Sequence, residues 1–190
     1  VLQVSRLGTT DLAAVMPAGI LVFCFIALAS GASSCVNTFV SQSFGKEDLR
    51  ACSAYAWQNT FVALILGAGV LPLWYCAPFL FRLIGHEPAV QASEVVYFQV
   101  RLWGVGAAVA AWGLGSYFQG IHKPWVAFAA TVAANLANLA LAWALIFGRL
   151  GFPALGIRGA GLATSGAACL QAVLLLGVLL QPRYARVFGG

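Results

Sequence analysis

The sequence predicts an all-α, polytopic membrane bundle of five transmembrane helices, and three observations carry that expectation. Hydrophobic residues make up 62% of the 190 and charged residues only 8%, with a mean hydropathy of +0.91. Soluble domains carry roughly a quarter charged residues, so this chain has too few polar groups to cover a water-facing surface. Second, charge-free stretches run over Leu12–Gly45, Ala51–Phe81, Leu102–Ile121, Pro124–Gly148 and Gly159–Pro182. Each offers the ~20 apolar residues that a helix needs to cross the hydrocarbon core. Third, none of them alternates apolar and polar residues with a period of two, which disfavours a barrel and leaves helices.

The spans are placed at about 11–42, 48–84, 88–121, 124–148 and 156–182. Thr10 or Asp11 suits the cap of the first helix. Its far end turns polar, with Asn37 and Ser41, and Thr38 and Gln42, each one turn apart. The loop Lys46-Glu47-Asp48 supplies acidic residues to the start of the second helix, where they suit its dipole. Pro72 removes a backbone donor inside that helix and is expected to bend it. The third helix starts near Pro88 and is rich in small residues from Gly104 to Gly115, a signal for close helix packing. Gln119 to Pro124 makes a basic turn, and Gly148 to Gly159 connects the last two spans.

Composition excludes several functions. The net charge is +5, but the Lys and Arg residues are scattered among loops and form no basic stripe. They read as flanks facing lipid headgroups, not as a nucleic-acid surface. The five cysteines stand singly, without CxxC or Cys/His spacing, and read as small buried hydrophobes. No HExxH, GxSxG or phosphate-loop pattern occurs, so neither an enzyme nor a bound cofactor or metal is expected. The chain opens on Val1 with no charged n-region before a short apolar core, so no signal peptide is expected and the segment reads as starting inside a longer protein.

The candidate site is built from amides and hydroxyls. Asn135 and Asn138 lie three apart on one face of the fourth span, with Thr131 one turn earlier and Thr164 early in the fifth. Two readings stand: interhelical hydrogen bonds of about 0.6 kcal/mol each, or the lining of a wet cavity that binds a cation or polar substrate. Thr164 is the weaker candidate, since threonine commonly bonds its own helix backbone. All carboxylates are expected at span ends or in loops. Glu94 and Arg101, seven apart on one face, have two readings, part of a pathway or, preferred, interface charges that snorkel to the headgroups. His86, between Gly85 and Glu87, reads as a solvated loop histidine.

The order of landmarks resembles the N-terminal half of multidrug and toxic compound extrusion (MATE) transporters of the NorM type. The residues that carry it are Leu7-Gly8 with Asp11 to Ala14, Gln42 to Lys46, Ile84 to Pro88, Tyr97, and Phe118 to Gly120. Asn138 followed by Leu145 to Gly148, Gly151 to Pro153 and Gly156 to Thr164 completes it as the most specific part. The resemblance implies that residues 1–190 are a partial N-terminal lobe, helices two to six of a twelve-helix fold with two six-helix lobes. It implies a secondary antiporter exporting organic cations and other drugs for Na+ or H+ by alternating access. Its partners would be the lipid bilayer, a small organic substrate, and a first helix and C-terminal lobe of the same protein. It places the loops at 46–50 and 122–123 and the tail in the cytoplasm, of a bacterial inner membrane. That matters because Lys46, Arg50, Lys123, Arg183 and Arg186 are balanced by Arg6, Arg82, Arg101, Arg149 and Arg158, so charge alone decides no orientation. Asn138 matches an asparagine of the family's N-lobe cation site, and Thr164 a threonine there. Many members carry an aspartate one turn after that asparagine, where this chain has Ala142. The other expectations are a flippase for lipid-linked sugars, which needs a cavity lined with Arg and Lys, and a structural subunit that only packs helices.

Overall fold

A computed structural model describes residues 9–148 and 153–182. Leu7-Gly8, Gly151-Phe152 and the charges of Arg6, Arg149, Arg183 and Arg186, used above, lie outside the described residues. The described chain is helical throughout, in seven helices: α1 (Thr9–Gly45), α2 (Leu49–Val70), α3 (Leu73–Ile84), α4 (Pro88–Leu102), α5 (Val105–Gly120), α6 (Pro124–Phe147) and α7 (Ile157–Leu179). α1, α6 and α7 are each long and apolar enough to cross a membrane. α2 with α3, and α4 with α5, are bent pairs that bring the spans to five if each pair crosses once.

The two bends have different origins. α2 and α3 meet at 58° across Leu71 and Pro72, where proline ends the hydrogen-bond ladder as expected. α4 and α5 meet at 49° across Trp103 and Gly104, where no proline stands, and the sequence reading ran one helix through this point. Gly104 N still donates to Arg101 O at 3.0 Å, so the break is a tightened turn that leaves few backbone groups bare, as lipid demands. The break also sets Trp103 midway along the bent pair, 69% exposed.

The ends obey local chemistry. Asp48 caps α2 by accepting from Ala51 N at 3.0 Å. Gly85 and Gly148 close α3 and α6 in the left-handed conformation that costs glycine little. The loops between α1 and α2 and between α5 and α6 lie side by side: Phe44 meets the His122 ring edge-on at 5.7 Å.

α5 is the centre of the bundle and packs on α1, α2, α6 and α7. Its buried face runs from Val109 to Phe118. Glycines let its neighbours approach to backbone distance. A Cβ on Gly67 would sit 2.7 Å from the Gly106 Cα, and one on Gly120 2.8 Å from the Val40 side chain. A Cβ on Gly104 would overlap Ser165 of α7. The outer surface carries the large apolar side chains that lipid accepts, among them Phe23, Leu28, Ile65 and Leu136. Four cysteines also lie there: Cys24, Cys35, Cys76 and Cys169 are exposed and only Cys52 is buried, against the expectation of burial for all five. In lipid an outward thiol costs little, so the rule from water-soluble cores does not transfer.

Replacing Gly106 with valine forces α2 and α5 apart at a backbone-to-backbone contact. The expected loss is about 1–3 kcal/mol, read as a lowered midpoint of thermal unfolding in detergent. Gly19→Ala, where a Cβ meets open space, is expected to leave the midpoint unchanged or slightly raised.

Candidate functional site

The polar side chains of α6 face α7 and α5. Thr131, Asn135 and Asn138 follow one another at helical spacing along α6, so one stripe carries all three. On α7, Thr164 and Gln171 share a face seven residues apart. Two cavities lie along the seam. One, of about 200 Å³, is lined by Asn135, Asn138, Thr164, Gln171 and Arg101 among others. The other, of about 600 Å³, takes in Asn135, Gln171 and Thr131 together with Ser34, Asn37 and Gln119. Asn135 and Gln171 belong to both, so the two hollows adjoin.

The hydrogen bonds divide these groups into committed and open ones. Thr131 Oγ1 donates to Ala127 O at 2.8 Å and accepts from Gln171 Nε2 at 3.0 Å, tying α7 to α6. Asn135 Nδ2 donates to Thr131 O at 3.0 Å. Thr164 Oγ1 donates to Ala160 O at 2.9 Å, the backbone bond expected of it, and so keeps only acceptor capacity toward the cavity. Among the described residues the Asn138 amide makes no hydrogen bond, and it is half-buried against the smaller cavity. Ser41 Oγ donates to Asn37 Oδ1 at 3.1 Å, the pairing anticipated at the end of α1.

Three sequence readings change. Glu94 is fully buried, so it does not snorkel and is a carboxylate deep in the bundle. Its Oε1 lies 2.7 Å from His86 Nδ1, and His86 is therefore not simply solvated; its side chain is 39% exposed. Glu94 closes the second turn of α4, where a position near a span end looks wet by count, yet the packed bundle leaves it no exposure. Nearby, Ser93 Oγ donates to Asp11 Oδ1 at 2.8 Å and joins α4 to α1. Arg101 turns inward as well. It lines the smaller cavity, and its Nε is buried without a hydrogen-bond partner.

Sequence reasoning missed Gln171 and assigned Arg101 to the interface. Gln171 is the one long polar side chain between Gly159 and Leu180, seven residues after Thr164, which is a readable signal. Arg101 carried no such signal, because its inward aim is set by the packing of α4 against α7, which the local pattern does not report. Ala142, one turn beyond Asn138, is buried and supplies no carboxylate.

The MatE family profile matches residues 1–144. The chain belongs to the MatE family. It is 32% identical over 180 residues to the probable multidrug resistance protein NorM of Rhizobium meliloti (strain 1021), covering 94% of this chain and 38% of that protein. The probable multidrug resistance protein NorM of Brucella suis biovar 1 (strain 1330) is 27% identical over 194 residues, covering 98% and 40%. A solved structure described as "Crystal structure of MATE in the bent conformation" superposes with a TM-score of 0.84 at 26% identity, over 96% of this chain and 40% of that one. Another, described as "Reverse polarity of binding pocket suggests different function of a MOP superfamily transporter from Pyrococcus furiosus Vc1 (DSM3638)", gives 0.83 at 25% identity, over 96% and 40%. The chain thus spans about 40% of the length of these MatE relatives. Family membership makes it a multi-pass membrane protein, and its relatives are transporters, not enzymes.

Two measurements probe the polar pairs. Gln171→Leu removes the amide that links α7 to Thr131, and a loss of about 0.6 kcal/mol is expected in unfolding assays. His86 and Glu94 are expected to couple by about 1–3 kcal/mol in a double-mutant cycle of His86→Ala and Glu94→Gln. Simple additivity of the two losses would show that the contact carries no energy.

Proposed function

We propose that this chain is most of the N-terminal lobe of a MATE-type secondary antiporter that exports small organic compounds in exchange for Na+ or H+. The observation that carries the proposal is the pair of adjoining cavities lined by Asn135, Asn138, Thr164 and Gln171 inside a bundle whose outside is apolar. Amides and hydroxyls gathered along hollows in an apolar bundle are costly ornaments in a protein that only packs helices, and they are the groups that replace water around a polar solute. The names of the NorM relatives, probable multidrug resistance proteins, support drugs as the cargo.

The mechanism is alternating access. Two lobes rock about a central cavity, and the ion and the substrate each bind one state better than the other. In this lobe, Asn138 and the free lone pairs of Thr164 contact the solute, while Thr131, Asn135 and Gln171 hold the α6–α7 wall in register. A cation bound here meets oxygen dipoles but no carboxylate, because Ala142 replaces the aspartate that the family resemblance leads one to expect. Its counter-charge therefore comes from segments outside this chain. We place the loops at 46–50 and 122–123 together on the cytoplasmic side, supported by their Phe44–His122 contact. A flippase would call for a cavity lined with Arg and Lys, and Arg101 is the only basic residue among those described as lining these two cavities.

The test is energised efflux by the full-length protein in bacteria lacking other exporters, followed with a fluorescent drug. Export is expected to stop when the Na+ and H+ gradients are both collapsed. Asn138→Ala is expected to slow it several-fold at an unchanged membrane level. An unaltered rate would remove Asn138 from the pathway.

A further inference from the structure

Glu94 is the one buried carboxylate of the five in the sequence; Asp11 is half-buried, and Glu47, Asp48 and Glu87 are exposed. Its exposure is nil, so a segment outside this chain could reach it only by displacing a helix. Oε2 is buried without a hydrogen-bond partner, and Oε1 lies 2.7 Å from His86 Nδ1. The imidazole joins this carboxylate to water, since the His86 side chain is 39% exposed.

Local structure fixes the imidazole there. Gly85 ends α3 in the left-handed conformation and Pro88 opens α4, so His86 sits in a two-residue turn held at both ends. Ser93, next to Glu94, ties this part of α4 to Asp11 of α1. α1 and the α4–α5 pair both run from here toward the loops at 46–50 and 122–123. With those loops cytoplasmic, His86 and Glu94 stand at the outer end of the bundle. Glu94 is about 10 Å along α4 from Arg101, which lines the cavity of Asn138 and Thr164, so the two sites are separate. The charged residues described on the helices packed against α4 are Asp11 of α1, engaged by Ser93, and Arg82 of α3 and Arg158 of α7, both exposed. On α4 and the turn before it stand Glu87, exposed, Tyr97, buried, and Arg101.

An imidazole with its Nδ1–H toward Oε1 leaves Nε2 for water. When Nε2 takes a proton from water and Nδ1 gives its own to Oε1, the ring stays neutral and the carboxylate becomes a neutral acid. The pair thereby loses its single negative charge. A charge that vanishes inside an apolar bundle changes the cost of burying it, and a difference of that kind biases a two-state motion. We propose that His86 and Glu94 form a proton-binding site at the outer end of the bundle, with His86 the carrier from water and Glu94 the acceptor. The inference deepens the transport reading, on which it rests, by naming H+ as an ion that this lobe takes and the residues that take it.

The test uses full-length protein in dodecylmaltoside, a detergent without carbonyl groups, and follows the carboxylic acid C=O stretch by infrared difference spectroscopy. The pH is stepped from about 8 to about 5, the range over which imidazoles exchange protons. One acid band is expected to be missing in Glu94→Gln and kept in Glu94→Asp, which guards against a misfolded Glu94→Gln. In His86→Ala that band is expected to rise about a hundredfold more slowly after the step, as loss of a proton carrier implies. In bacteria lacking other exporters, held in acid medium free of Na+, Glu94→Gln is expected to slow drug efflux several-fold. A spectrum unchanged by Glu94→Gln, a band that rises at the same rate without His86, or efflux indifferent to Glu94→Gln overturns the proposal. A Glu94 band in a protein that exports nothing under any gradient would sink the transport reading and leave the proton site standing.

Discussion

The bundle depends on how closely α5 can be approached. In water, helices are driven together by the burial of apolar surface; in lipid that drive is nearly absent, because an acyl chain serves a leucine as well as another helix does. What remains is contact at short range, and short range requires that side chains be missing. Gly106 lets α2 come to backbone distance, Gly120 admits Val40 of α1, and Gly104 admits Ser165 of α7. Gly113 accommodates the buried Asn59 side chain of α2, which no larger residue would allow. Four neighbours around one helix follow from those absences. The cavities follow in turn, since α6 and α7 meet each other fully but touch α5 only in part.

The break between α4 and α5 belongs to the same constraint. Gly104 permits a tightened turn, and Ser165, whose Oγ donates to Val100 O at 3.3 Å, fastens α7 beside it. Glu94 and Arg101 lie two turns apart along α4, before the bend: the one meets His86 near the start of the helix, and the other lines a cavity with the α6 and α7 amides at its end.

The long apolar runs were legible because lipid leaves so few options: without water, a charge-free stretch of helix length has to satisfy its backbone internally. Pro72 was legible for the same reason, as a missing donor has a fixed consequence. The amide stripe of Asn135 and Asn138 was legible too, since polar side chains in a greasy helix ask for an explanation wherever they stand. What escaped was everything set by tertiary contact. Glu94 reads as wet because it is near the start of a helix, and nothing in the local pattern reports that the neighbouring helices bury it. Arg101 reads as a snorkelling cation because its side chain is long, and only the packing of α4 against α7 turns it toward the cavity. The cysteines were assigned by a rule drawn from water-soluble cores, which has no force when the exterior is itself apolar.

Asn135, Gln171 and Thr131 form a closed set of bonds that keeps α6 and α7 in register, whereas Arg101 and Asn138 hold capacity that the chain leaves unused. Closed and open groups therefore do different work along one seam. The closed set keeps the wall rigid, so that the open groups are aimed in advance and little ordering remains for a ligand to impose. A wall made only of closed groups would be structural, and one made only of open groups would collapse on itself or fill with water. The separation of the two kinds along α6, three residues apart, is what lets a bundle held by small residues also present a receptive surface.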